Sequence, residues 1–370
     1  MKRLIGGLVI VLTVLMIGLV LVIYAQGKRL DSHGKLTGSG ILQIATTPNG
    51  ANVFVNDQNK GQSDLNIENV KPGTYTIKIQ KEHFQTWTKK VEVKEALVTP
   101  LKVSLFPSNP SLTALTFDGL VSPQLSPDNK KVVYGVQTES KKGLWVGNLT
   151  DRQLFFDNSA PRKIVADTKD LAFSNAALSW SPDSSQVLAT ITIGNVNRNF
   201  LLNASQLNSN PQEVTLQIEA INSSWQKQNA DKLTSTLKRF PMAAQNLTVG
   251  AKSVTFSKDQ SAMLIVKGDG TAVVYDSKPS PVPGSLPQIY NLPAGDNYFW
   301  FQGATKNIVI VSKNVISLVD TDGSNADSLF TGDFDPKAVF SWPDGSRLVI
   351  FINLNSKFNP LPNLYSLDLT

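Results

Sequence analysis

The chain has 370 residues, of which 41% are apolar and 17% charged, so it can build two or three domains with genuine cores and is not a disordered protein. Its formal charge of +6 is uneven: residues 1–40 carry five Lys and Arg against one Asp, residues 41–107 eight Lys against six acids, and residues 108–370 carry 22 of each sign. A neutral large domain without a basic, aromatic-interleaved stripe argues against nucleic-acid binding, and a chain with no Cys and only His33 and His83 excludes disulfide scaffolds, thiol nucleophiles, Cys/His zinc sites and haem attachment.

Met1-Lys2-Arg3 leads into Leu4 to Tyr24, 21 residues without a charge. At about 1.5 Å per residue such a helix spans a hydrocarbon core of roughly 30 Å. Two readings compete, an uncleaved signal anchor over residues 1–26 and a cleavable signal peptide with a weak site at Ile23-Tyr24-Ala25. The apolar core exceeds the roughly 7 to 15 residues of a secretory signal, which favours the anchor. Lys2 and Arg3 argue for an inside N-terminus, while Lys28, Arg29 and Lys35 pull the other way. Residues 27–40 are polar and Gly/Ser-rich and read as a tether, in which His33 has no evident role.

From residue 41 to 107 the pattern is a compact β module. Ile41 to Thr46, Asn52 to Asn56, Thr74 to Gln80 and Lys89 to Lys94 alternate as half-buried strands do, and Leu101 to Phe106 closes the module. The expected inward face is Tyr75, Ile77, Ile79, Val91 and Val93. His83, Phe84 and Trp87 either form a small exposed ligand patch or pack under their own hairpin. The run Pro48-Asn49-Gly50-Ala51-Asn52-Val53, then Lys60-Gly61-Gln62-Ser63, then Val70-Lys71-Pro72-Gly73-Thr74-Tyr75, resembles the PEGA domain. Asn49 stands where that family has Glu, and His83-Phe84 where Gly-Tyr is usual. The resemblance implies a small β-sandwich, usually outside the cytoplasm, with no catalytic residues.

Residues 108–370 carry a repeated hairpin signature: QLSPDNKKVVYGV from Gln124, LSWSPDSSQVLATI from Leu178, VTFSKDQSAMLIV from Val254 and VFSWPDGSRLVIF from Val339, with FWFQGATKNIVIV from Phe299 a degraded copy. Pro pre-sets φ in the turn, Asp, Asn and Gly tolerate the positions after it, and β-branched flanks alternate. A period of roughly 40 to 55 residues predicts an array of small sheets, a β-propeller. The blades are expected at 121–126, 130–136, 143–149 and 162–166; at 177–181, 186–193, 199–204 and 213–218; at 252–257, 262–267, 271–276 and 286–291, the last reached through the Pro-rich loop Pro279 to Pro287; at 297–302, 307–312, 314–320 and 326–331; and at 336–341, 346–353 and 363–369. The fifth blade lacks a fourth strand, which Leu112 to Asp118 would supply and so close the ring. Ser126-Pro127-Asp128, Ser181-Pro182-Asp183 and Trp342-Pro343-Asp344-Gly345 resemble the propeller of TolB and its relatives with WD-like repeats.

One interval is too long, and its excess contains Ser223 to Arg239. Ser223 or Ser224 as a cap, Trp225, Leu233 and Leu237 at multiples of four, and Pro241 beyond the end predict an inserted amphipathic helix. As a crossing between blades it is expected on the face opposite the Ser-Pro-Asp turns, with the loops at 194–198 and 356–362. Trp225, Arg239 and Phe240 are then candidate partner contacts, the competing reading being that Trp225 and Phe240 only bury the insert.

Catalytic chemistry finds little support. The regularly placed carboxylates, Asp128, Asp183, Asp259 and Asp344, all fall in hairpin turns, where Asp serves local hydrogen bonding. A serine hydrolase lacks a base, there is no P-loop or dinucleotide-binding glycine motif, and Asp320-Thr-Asp322-Gly323-Ser-Asn325-Ala-Asp327 departs from the order of a calcium loop. No catalytic, cofactor or metal residue is therefore assigned. The sequence predicts an all-β protein with an N-terminal transmembrane helix, a PEGA sandwich and a propeller of five blades with one helical insert. It would be held in a bacterial cell membrane through Leu4 to Tyr24 with its bulk extracytoplasmic, recognising a protein or glycan without catalysis. The alternatives are an envelope glycan hydrolase and an extracellular sensor subunit.

Overall fold

The computed structural model describes residues 2–25, 28–30, 36–149, 160–279, 286–355 and 361–369. His33, most of the Pro-rich loop after Pro279 and most of the loop at 356–362 lie outside these. The chain forms two units, one of Met1–Leu105 with Lys278–Pro287, the other of Phe106–Ser277 with Gln288–Thr370.

The first unit opens with helix α1, Lys2–Ala25. Its apolar side chains from Ile10 to Val22 are exposed. Side chains of α1 are described only at Gly7 and residues 10–22, and among the described residues no helix is long and apolar enough to cross a membrane. Within the expected tether, Lys28–Leu30 and Leu36–Gly38 pair as two short antiparallel strands.

The module that follows has two sheets. Gly40–Thr47 lies between Leu65–Val70, antiparallel to it, and Val98–Ser104, parallel to it. The second sheet runs Gln58–Gln62, Asn52–Val55, Gly73–Gln80, Trp87–Val93. Leu42 and Ile44 of the first sheet meet Val53, Val55, Ile77 and Ile79 of the second in one buried cluster. Period-two alternation is the cause, since Gly40–Thr47 buries every second side chain. Each such aliphatic side chain removed from water contributes about 1.5–3 kcal/mol. Of the expected inward face, Ile77, Ile79 and Val93 are buried, while Tyr75 and Val91 pack partly buried against the cluster.

The second unit contains five four-stranded antiparallel sheets in chain order. Sheet 1 is Val121–Leu125, Lys131–Val136, Gly143–Asn148 and Arg162–Ala166; sheet 2 is Ala177–Trp180, Gln186–Ile193, Val196–Asn203 and Gln212–Glu213. Sheet 3 is Ala251–Phe256, Ala262–Lys267, Ala272–Asp276 and Gln288–Asn291; sheet 4 is Asn297–Trp300, Asn307–Ser312, Val315–Asp320 and Asp327–Thr331. Sheet 5 takes Phe334–Ser341, Arg347–Ile352 and Asn363–Asp368, and its fourth strand is Leu112–Ala114 from the other end of the unit. Leu112 opposes Leu367 and Ala114 opposes Tyr365, as the ring-closure argument requires. The strand is shorter than expected, but Leu115 N–H still reaches Leu364 O at 2.9 Å, and the buried Asn363 accepts from Thr116 Oγ1 at 3.0 Å and Gly119 N–H at 3.2 Å.

Second strands such as Lys131–Val136 and Ala262–Lys267 are buried on both faces, because sheet 1 lies between sheets 2 and 5 and sheet 3 between sheet 4 and the insert. Four shared clusters bind neighbours directly: Val133 and Leu144 of sheet 1 with Ala189 and Phe200 of sheet 2, Leu264 of sheet 3 with Ile308 of sheet 4, Val309 of sheet 4 with Ile350 of sheet 5, and Tyr134 of sheet 1 with Phe340 of sheet 5. Sheets 2 and 3 share no such cluster among the described residues. The register explains why. One face of sheet 2 carries Leu178, Ala189 and Phe200, toward sheet 1; the other carries Ala177, Thr190 and Asn199, then Ser179, Leu188 and Leu201, and is largely polar or small. The corresponding face of sheet 3, with Met263, Ile265, Val273 and Tyr275, is covered by Phe240 and Ala244 of the insert.

Candidate functional site

The insert comprises helix α2, Ile218–Leu237, and helix α3, Met242–Asn246. Helix α2 begins five residues before Ser223. Its N-cap is Gln217 without a side-chain cap bond, so Ser223 and Ser224 are interior residues rather than caps. The helix has no buried residue, and Trp225, Leu233 and Leu237 form a half-buried stripe. The three predicted contact residues therefore part company. Trp225 is half-buried on α2 and Arg239 is exposed. Phe240 is buried, stacked on Phe256 with ring centroids 5.8 Å apart and edge-on to Tyr275 at 6.0 Å, as the burial reading required.

Connectivity defines two faces of the sheet array. One holds the turns between first and second strands; the other, the loop face, holds second-to-third loops and crossings. The insert leaves sheet 2 on the loop face. The Arg239 guanidinium donates to Gln260 Oε1, in the Ser257–Ser261 turn on the opposite face. The insert thus runs from one face to the other rather than lying at the loop-face mouth. A 20-residue helix extends about 30 Å, more than the roughly 20 Å of a six-residue strand, so α2 is long enough to do so.

The turns use their own carboxylates. Ser126 Oγ bonds Asp128 Oδ1 at 2.5 Å, and the pairs Ser181–Asp183 and Ser257–Asp259 do the same at 2.6 Å. Each Ser Oγ also accepts a backbone N–H from the next strand, that of Lys131, Gln186 or Ala262. Hydroxyls of Ser181 and Ser185 hold the Asp183 carboxyl below the usual range. At Asp128 and Asp259 burial pushes upward, but hydroxyl and backbone donors outweigh it and both are lowered. The residue after each Asp is left-handed: Asn129, Ser184, Gln260 and Gly345 have φ of 59°, 61°, 55° and 77°. In sheet 5 the Ser position is Trp342. Ser341 Oγ instead accepts the Gln302 N–H of sheet 4 at 3.0 Å. These Asp residues are turn-formers on separate hairpins, not a converging pair.

The acidic loop of sheet 4 is likewise committed to hydrogen bonds. Asp320 accepts from Asn307 Nδ2 at 3.0 Å and Asn325 Nδ2 at 3.1 Å, and Asp322 from Ser324 N and Oγ. Burial raises the Asp327 carboxyl. No group of three His, Cys, Asp or Glu among the described residues is placed to hold a metal. In the first unit, Trp87 is buried and Phe84 packs against the core, which leaves only His83 of the supposed aromatic patch outside.

Sequence reasoning missed where apolar surface remains. On the loop face stand Phe117, Ile193, Val196, Leu216, Val249 and Leu354, with Leu216 95% and Val249 82% exposed. Their signal was their position at strand ends and in the connections, where an apolar residue passes beyond the cover of neighbouring sheets.

Residues 39–109 match the PEGA domain family. No curated protein matches the chain. Among solved structures, the β-propeller domain of the trilobed protease from Pyrococcus furiosus is 15% identical over 68% of this chain and 69% of that one, with a TM-score of 0.22. TolB from Acinetobacter baumannii is 13% identical over 80% of this chain and 60% of its own, with a TM-score of 0.20, so the match spans less than two thirds of that protein. Oligogalacturonate lyase from Vibrio parahaemolyticus is 10% identical over 92% of both chains, with a TM-score of 0.27.

Proposed function

We propose that the chain is a membrane-anchored, non-catalytic recognition or scaffolding protein of the bacterial envelope, with a PEGA sandwich and a ring of five blades outside the cytoplasm. The observation that carries recognition is the number of exposed apolar side chains on the loop face, where Phe117, Val196, Leu216 and Val249 stand more than half exposed, against Leu207 between the third and fourth strands of sheet 2 on the turn face. Isolated exposed apolar residues need no explanation, whereas several on one face of a neutral domain suit an interface with another surface. The anchor reading is supported by the sequence, in which the 21 residues from Leu4 to Tyr24 carry no charge, enough at about 1.5 Å per residue for a hydrocarbon core of roughly 30 Å. The ring reading is supported by the shared clusters between neighbours and by Leu112–Ala114 completing sheet 5.

A glycan hydrolase of this architecture needs two carboxylates roughly 5 to 10 Å apart across a substrate. The regularly spaced Asp residues are instead tied into their own turns, which favours recognition over hydrolysis. The test is covalent cross-linking in intact envelopes from a photoreactive residue at Val196 or Leu216, with Gln206 on the turn face as control. A defined partner adduct from the loop face alone is expected; adducts from the turn face alone would overturn the assignment.

A further inference from the structure

Four of the junctions between neighbouring sheets are closed by apolar side chains from both partners. The junction of sheets 2 and 3 is built differently. Sheet 3 presents Met263, Ile265, Val273 and Tyr275 to the insert, where Phe240 and Ala244 complete the cluster. Sheet 2 presents a face on which Leu188 and Leu201 stand among polar side chains, with Thr190 Oγ1 donating to Asn199 Oδ1 at 2.8 Å and Thr192 Oγ1 donating to Asn197 Oδ1 at 2.8 Å. Inner strands of the other neighbouring pairs approach one another, Val121–Leu125 with both Ala177–Trp180 and Phe334–Ser341, Asn297–Trp300 with both Ala251–Phe256 and Phe334–Ser341; no comparable approach joins Ala177–Trp180 to Ala251–Phe256.

We infer that this junction is a seam at which the ring opens, and that the insert, fixed to sheet 3, is the movable side of the seam. This rests on the five-bladed ring reading. Separating any other pair of sheets exposes apolar surface to water, which opposes opening. Separating sheet 2 from the insert exposes Leu188 and Leu201 beside the paired Thr190 and Asn199, fewer apolar side chains than either partner presents at the other four junctions, so less opposes it. Phe240 travels with sheet 3 because its ring is stacked on Phe256, and Arg239 holds the far end of α2 to the turn at Gln260. The strand exchange at sheet 5 keeps the opposite side of the ring shut while the seam widens. The insert thereby sets the width of the central channel.

The chain has no Cys, so pairs of spin labels can be placed without background in the full protein. The seam pair is Ser179→Cys with Thr255→Cys, and Ala177→Cys with Ser253→Cys is a second pair across the same seam. The controls are Gln124→Cys with Ser179→Cys, across sheets 1 and 2, and Gln124→Cys with Lys337→Cys, across sheets 1 and 5. All of these positions are exposed. Pulsed electron-spin distance measurements should give broad or two-peaked distributions for the seam pairs and single narrow peaks for the controls. Narrow peaks throughout would overturn the inference while leaving the ring intact. Broad distributions at the controls as well would instead remove the ring reading on which it rests.

Discussion

The backbone N–H of Asp128 donates to Ser184 Oγ at 3.0 Å, although the two residues sit in hairpin turns of different sheets. Ser184 O also accepts from Lys131 Nζ at 3.0 Å, so one turn residue of sheet 2 holds two groups of sheet 1. Ser184 is buried and left-handed, with φ of 61°. Ser184→Ala removes the acceptor and keeps the backbone strain, and is expected to cost about 1–3 kcal/mol. Ser184→Gly loses the same bond but relieves the left-handed backbone, so it should cost about 1 kcal/mol less. Urea midpoints of the two variants check this; equal midpoints would show that the backbone conformation carries no strain.

Gly345 fills the corresponding position in sheet 5 and meets the backbone of Gly303 in sheet 4 so closely that an added Cβ would collide with it. Gly345→Ala combines a left-handed φ of 77° with overpacking against backbone that has no flexible end to yield. The expected loss is about 2–4 kcal/mol in thermal or denaturant unfolding. A loss below 0.5 kcal/mol, about the ordinary scatter of surface substitutions, would contradict the close approach.

The acid limb of stability should come in part from the turns. The carboxyls of Asp128, Asp183 and Asp259 lie lower in the folded chain than in the unfolded one. Each therefore contributes stability that is fully present above the unfolded carboxylate value of about 4 and is lost as pH falls through the lower folded value. Replacing Ser126, Ser181 and Ser257 together by Ala removes the hydroxyl donors. The triple variant is expected to be less stable at neutral pH and to lose less on acidification than the parent. Parallel stability curves below pH 4 would sink the idea.

Sheets 3 and 4 are tied by Lys306 Nζ and both oxygens of Asp276 at 2.8 Å, with the carboxylate 1% exposed. Lys306→Met strands a buried charge and should cost about 3 kcal/mol. The double change with Asp276→Asn removes that charge and should recover much of the loss. A double variant no more stable than the single one would show that the pair is not the source.

Membrane topology can be read by protease added outside intact cells. With α1 uncleaved and Lys28 onward outside, the large unit should be degraded while the anchor stays with the membrane. Complete protection would place the sheets in the cytoplasm.

The repeated hairpins and the closing strand were legible because both rest on local rules: alternation on the strands, Ser-x-Asp chemistry at the turns, and an unpaired edge that had to find Leu112 to Asp118. The start of α2 was not legible, since Ser223 and Ser224 offered cap chemistry that the chain does not use and Ile218 to Asn222 carry no competing signal. The failed copy at Phe299 to Val311 has a physical reason. In the aligned sequence Gln302 stands opposite the Ser, but it is the N–H of Phe301 that reaches the next strand, at Asn307 O, and the Phe301 ring packs edge-on against Phe106 at 5.5 Å, which a turn motif does not encode. The weak junction could have been suspected from Thr190, Thr192, Asn197 and Asn199, polar at every second position in a sheet expected to be apolar on both sides. Phe240, by contrast, could only be assigned once sheet 3 was seen to lack a neighbour's cover.

The pairing of Leu112–Ala114 with Asn363–Asp368 also imposes an order on the birth of the molecule. Thr113 Oγ1 and its acceptor Asp368 are separated by 255 residues, and Leu112 to Ala114 emerge before any of their partners exist. During synthesis or export Leu112 to Ala114 must wait, exposed, until Asn363–Asp368 has arrived. Because closure entropy grows only logarithmically, such a span costs little more than a loop of half its length; the burden is kinetic. A circular permutant joining Asp368 to Ser111 through a short linker and opening the chain at Gly194 would make that pairing local, and should refold faster than the parent at similar stability.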